Sequence, residues 1–143
     1  MRYRVLTAAL LAVLLAAVPV SPSFAQAGSY DSWIGKYSFQ VAKDPALKKR
    51  FQALIKKEYQ SFESRIDVSA PIVKSGDFIY GHGCLPHNCG DEEAAFTIQA
   101  QTGALAAVVM SRAPGQQFTI YGAPSADQLP PPLQEWIKAR SKP

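Results

Sequence analysis

Cysteine is nearly absent from this chain: two in 143 residues, too few for a disulfide-dense mini-scaffold or a four-cysteine zinc site. Histidine is as scarce, also at two. No Gly-x-Ser-x-Gly nucleophile motif and no metalloprotease His-Glu-x-x-His motif occurs. The Cys-x-x-Cys-His order needed for haem attachment is missing too. Internal repeats are absent, and the only low-complexity run is Pro130-Pro131-Pro132. What is present is 48% hydrophobic residues and a formal net charge of only +4, which excludes an intrinsically disordered chain and leaves room for one ordinary domain.

The N-terminus has the three-part layout of an export signal. Arg2 and Arg4 are followed by an uncharged run from Val5 to Val20, broken by Pro19 and Pro22, and then by Ser23-Phe24-Ala25. The run is shorter than the ~20 apolar residues that span a bilayer. Cleavage is expected after Ala25, with Ala27 the nearest alternative, and no Cys follows to carry a lipid. Residues 1–25 are thus expected to be a signal peptide and residues 26–143 a single exported domain. No later stretch is apolar enough to span a membrane. Loss of Arg2 and Arg4 lowers the formal charge to +2, so basicity points to neither nucleic acid nor an anionic surface.

The remaining chain reads as α+β, a central antiparallel sheet with an N-terminal amphipathic helix and a short C-terminal helix. Asp44-Pro45 is a helix start, with a carboxylate cap before proline. Leu47, Phe51, Leu54, Ile55, Tyr59 and Phe62 then recur at helical spacing, predicting one helix of four to five turns. Lys48, Lys49, Arg50, Lys56 and Lys57 fall between them and read as a solvated face, the other reading being a contact for an anionic glycan or membrane. Upstream, Trp33, Ile34, Tyr37 and Phe39 either extend this helix or form a separate element. Strands are predicted at Phe78-Ile79-Tyr80, Ala94 to Gln101, Ala104 to Met110 and Phe118 to Tyr121. Thr102-Gly103 turns the middle pair into a hairpin whose second strand is buried on both faces. Leu133, Trp136 and Ile137 mark the closing helix.

Both cysteines and both histidines fall in Gly81-His82-Gly83-Cys84-Leu85-Pro86-His87-Asn88-Cys89-Gly90. Three chemistries compete for this segment. An isolated pair of exported cysteines usually bridges, and a Cys84–Cys89 disulfide would hold Leu85-Pro86-His87-Asn88 as one preorganised protrusion, with Gly81, Gly83 and Gly90 permitting sharp bends at its ends. Zinc could instead use His82, Cys84, His87 and Cys89, at an unusually compact spacing. A Cys-His nucleophile needs a free thiolate beside its base, which a neighbouring exported cysteine would consume. The bridge is the preferred reading, with no enzyme activity, cofactor or metal expected. His82 is expected to pack near the bridge.

Cys84-Leu85-Pro86-His87-Asn88-Cys89 resembles the Cys-Lys-Pro-His-Asp-Cys loop of the Ivy family, periplasmic inhibitors of vertebrate lysozyme. The likeness extends to the strand ending in Tyr80, the acids after the loop, the apolar run 104–110 and Tyr121-Gly122-Ala123-Pro124. It implies a periplasmic protein whose loop plugs the cleft of c-type lysozyme, His87 hydrogen-bonding the two catalytic carboxylates. Pro86 and the Cys84–Cys89 bridge would hold it, and Leu85 and Asn88 would touch the cleft walls. Leu85 and Asn88 stand where the family commonly has a basic and an acidic residue. Asp91, Glu92 and Glu93 would steer the cationic cleft rim toward the loop; their other reading is a solvated turn. The alternative function is a periplasmic binding module for the cell's own lytic transglycosylases or peptidoglycan, or for a metal. The family includes dimers, so the resemblance admits a homodimer.

Overall fold

The computed structural model describes residues 30–141; the expected signal peptide, residues 1–25, lies outside the described residues. A single antiparallel sheet of six strands runs through the molecule in the order β1-β3-β4-β5-β6, with β2 also paired to β3. The strands are β1 (Val68–Ser69), β2 (Val73–Ser75), β3 (Phe78–Cys84), β4 (Glu92–Gln99), β5 (Leu105–Ser111) and β6 (Gln117–Tyr121). Helices α1 (Ser38–Lys43), α2 (Pro45–Ile55) and α3 (Tyr59–Ser64) precede the sheet, and α4 (Pro131–Arg140) closes the chain.

The apolar spacing from Leu47 to Phe62 produces two helices and not one. Asp44 caps α2 as its position dictates, Oδ1 accepting from the Leu47 N–H at 2.9 Å, with Pro45 in the first turn. Lys56 then leaves helical geometry at φ 60°, ψ −126°, and a short 3-10 turn, Lys56–Glu58, leads into α3. Periodicity survives this break because both helices turn the same apolar face inward, where Leu47, Phe51, Ile55, Tyr59 and Phe62 are all buried. Trp33 to Phe39 does not extend α2: Tyr30–Trp33 is a separate 3-10 turn, and Phe39 lies in α1.

The sheet is covered on both faces. Side chains alternate across each strand, so Ile79, Phe96, Ile98, Ala107 and Val109 pack with Phe51 and Phe62 of the helical layer. The intervening Ala95, Val108 and Met110 meet Leu133 and Trp136 of α4. β5 is accordingly buried along Ala106–Met110. The segments β1 and β2 escape periodicity because they hold two and three residues; together they edge β3, interrupted where Pro71 bridges Tyr37.

Two glycines of β3 do a different job from the bends expected of them. A Cβ on Gly81 would lie 2.5 Å from the Phe96 ring, and one on Gly83 would lie 2.7 Å from the Val68 carbonyl oxygen and 2.8 Å from the Ile66 Cα. They admit close approach of neighbouring chain to the strand that leads into the loop. Gly83→Ala should therefore destabilise by about 1–3 kcal/mol, the usual range for overpacking. Urea unfolding measures it, and an unchanged midpoint would refute the contact.

Candidate functional site

The loop spans residues 85–91 and joins β3 to β4 at one end of the sheet. Gly81 to Cys84, expected within it, belong to β3, and Cys84 pairs with Glu93 across the hairpin. Cys84 and Cys89 form a disulfide with their Cα atoms 4.9 Å apart. Inside the bridge, the Asn88 N–H donates to the Leu85 carbonyl at 3.0 Å. Pro86 occupies the first central position of this turn and His87, at φ +63°, the second, the pattern of a type II turn. Proline presets the first angle, and histidine is among the few non-glycine residues enriched in the left-handed region.

The returning limb is held as firmly. Leu85 N–H donates to the Glu92 carbonyl at 2.8 Å, while the Asn88 carbonyl accepts from the N–H groups of Asp91 and Glu92 at 3.2 and 3.0 Å. Arg112, from the β5–β6 turn, donates its N–H to the Asp91 carbonyl at 2.9 Å and its Nε to the Gly90 carbonyl at 3.1 Å. Arg112 is a supporting residue that sequence reasoning missed, because nothing near position 112 announces a partner twenty residues back. Gly90, at φ +97°, supplies the one bend that needs glycine. His87, Asn88 and Cys89 are exposed at the tip, whereas Leu85 and Pro86 are half-buried at its base.

The three acids after the loop do not form one patch. Asp91 is exposed and pairs with Arg112 at 3.6 Å. Glu92 turns toward the helical face, where the Arg65 guanidinium engages it and the Ser111 hydroxyl donates to it at 2.8 Å. Glu93 turns to the opposite face and is paired with Arg140 of α4. Alternation along β4 separates neighbours in sequence onto opposite sides of the sheet.

His82 is a strand residue on the α4 face, its ring 5.6 Å from that of Tyr80. Burial lowers its pKa from 6.5, Arg140 lowers it further and Glu93 opposes. Burial likewise pushes the Tyr80 phenol up to about 12. The folded state therefore favours neutral His82, and the unfolded chain, with the ordinary value, takes up its proton first as pH falls below about 6.5. Stability from this group is present above that pH and lost on acidification. Urea midpoints of wild type should drop more between about pH 7.5 and pH 5 than those of His82→Gln; equal drops would refute the coupling.

The structure does not assemble the set His82, Cys84, His87 and Cys89 as a tetrahedral site. Both sulfurs are bonded to each other, His82 lies on β3, and His87 stands at the tip. The same bond leaves no thiolate for His87 to activate. What the arrangement offers is an imidazole on a rigid, solvent-facing turn.

The family model described as "Inhibitor of vertebrate lysozyme (Ivy)" matches residues 46–143. No curated protein and no solved structure matches the chain.

Proposed function

The chain belongs to the Ivy family, inhibitors of vertebrate lysozyme, and from that premise we propose that it blocks c-type lysozyme by inserting the Cys84–Cys89 loop into the catalytic cleft. The observation that carries the reading is His87, exposed at φ +63° on a turn closed by proline and a disulfide. The cleft of a c-type lysozyme works with a protonated general acid and an ionised carboxylate. A neutral imidazole has one N–H donor and one acceptor nitrogen. It can donate to the ionised carboxylate, accept from the protonated acid, and occupy the place of the glycan.

Rigidity makes this arrangement effective. A free chain loses backbone and rotamer freedom on docking, and a loop already held in shape loses less. Leu85 and Pro86 are half-buried, so the exposed Asn88 and Asp91 are the side chains best placed to touch the cleft walls with His87. Glu92 and Glu93 are half-buried against Arg65 and Arg140, so Asp91, exposed even in its contact with Arg112, is the acid that steers a cationic rim. We also read residues 1–25 as a leader removed on export to the periplasm. An intact mass beginning at Gln26 would agree, and retention of Met1 in exported protein would not.

The deciding experiment follows cell-wall lysis by c-type lysozyme at increasing ratios of the purified protein, with sizing chromatography of the mixture. Inhibition near equimolar protein and a co-eluting complex are expected. Full lysis at large molar excess with no complex would overturn the proposal. Cys84→Ser with Cys89→Ser should weaken binding by up to about 2 kcal/mol, the loop-closure entropy released when so short a loop opens. Unaltered affinity in that double variant would show that the turn holds without its bridge.

A further inference from the structure

A cleft of about 820 Å³ opens on the helical face of the sheet, between the α2–α3 break and the strands β5 and β6. Ile55 and Val109 are buried at its base and Tyr121 is half-buried, while Lys56, Lys57 and Thr119 are exposed at its rim. The cleft exists because the helical layer breaks at Lys56 and leaves this part of β6 uncovered.

Three observations bear on Lys56 and Lys57 at this rim. Lys48 pairs with Glu63 at 3.6 Å, and Arg50 donates to the Tyr30 hydroxyl at 2.7 Å, whereas neither Lys56 nor Lys57 makes an ion pair among the described residues. Arg65, also on the cleft wall, is engaged by Glu92, so two free ammonium groups face the single carboxylate of Glu58 there. Lys56 also sits at φ 60°, ψ −126°. Glycine would take that geometry without strain, while a residue with a Cβ is strained by it. Strain of this kind concentrates at ligand sites, and here it sets a cation on the rim of an apolar hollow.

We propose that this cleft binds a small amphipathic anion, its apolar body against Val109 and Tyr121 and its acidic group between Lys56 and Lys57. The volume suits a fused aromatic body. The site is separate from the His87 loop and does not depend on lysozyme inhibition.

The test is fluorescence titration with anilinonaphthalene sulfonate, beside its uncharged analogue N-phenyl-naphthylamine. The sulfonate should bind saturably at one site, about fivefold more tightly than the neutral compound, from two exposed charge contacts. Lys56→Gly combined with Lys57→Gln should weaken the sulfonate about fivefold and leave the neutral compound unchanged. Lys56→Gly alone should melt at the wild-type temperature or higher, because glycine relieves the strain, so lost binding is not unfolding. Thr119→Trp should fill the rim and reduce binding of both. Equal affinity for the two compounds, an unaffected double variant, or full binding to Thr119→Trp would each overturn the proposal.

Discussion

Replacing His87 by alanine should remove at least about 2 kcal/mol of lysozyme binding, a loss near 30-fold, as expected of a central hot spot. Two effects could contribute, and the backbone separates them. His87 sits at φ +63°, a conformation that alanine tolerates poorly and glycine adopts freely. Alanine therefore removes the imidazole and strains the turn, whereas His87→Gly removes the imidazole and relaxes it. If the imidazole carries binding, both variants fail to protect cell walls from lysis, and the glycine variant fails with its turn preserved. Inhibition by His87→Gly at the wild-type level would reject the histidine as the anchor. His87→Asn refines the test, since asparagine also accepts the left-handed conformation and carries donor and acceptor atoms. Its shorter reach should leave it well below wild type.

Phe51→Ala is the substitution expected to damage the fold most. Its ring is fully buried, stacked at 5.2 Å on Phe62 and edge-on at 5.4 Å to Phe96. Truncation forfeits transfer energy and leaves a cavity, together about 3–5 kcal/mol, against the roughly 5–15 kcal/mol that holds a domain of ordinary stability. The urea midpoint should fall steeply with an unchanged slope. A loss under about 1 kcal/mol would mean that the three rings do not close the core as described. The damage extends to β3, because Phe96 pairs with Gly81 across the hairpin, and stops short of the loop. Below its midpoint the variant should still inhibit, since the turn from Leu85 to Asn88 is closed locally.

Features that depend on a few adjacent residues are legible in the sequence alone. The helix start at Asp44-Pro45 needs only a carboxylate three residues from an N–H. The hairpin turn at Thr102-Gly103 needs one residue at positive φ, and Gly103 supplies it at 71°. The caged histidine needs two cysteines within bonding reach and a proline between them. Features that depend on partners far along the chain are not legible in this way. Glu92 and Glu93 look alike beside the loop, yet they meet Arg65 and Arg140, 27 and 47 residues away, on opposite faces. The break at Lys56 leaves the apolar spacing intact and so is invisible to periodicity. Gly81 and Gly83 look like loop residues because composition does not reveal which chain will pack against a strand.

By itself, the sequence determined the α+β class and the loop with its histidine, together with the residues that could bridge it, because each rests on short-range covalent and dihedral constraints. Only the tertiary structure decided which acid stays exposed beside that loop, what braces its returning limb through Arg112, and where the helical layer stops to leave a cleft. Those outcomes follow from which faces meet when the sheet is covered on both sides, and that is settled by packing across the whole chain.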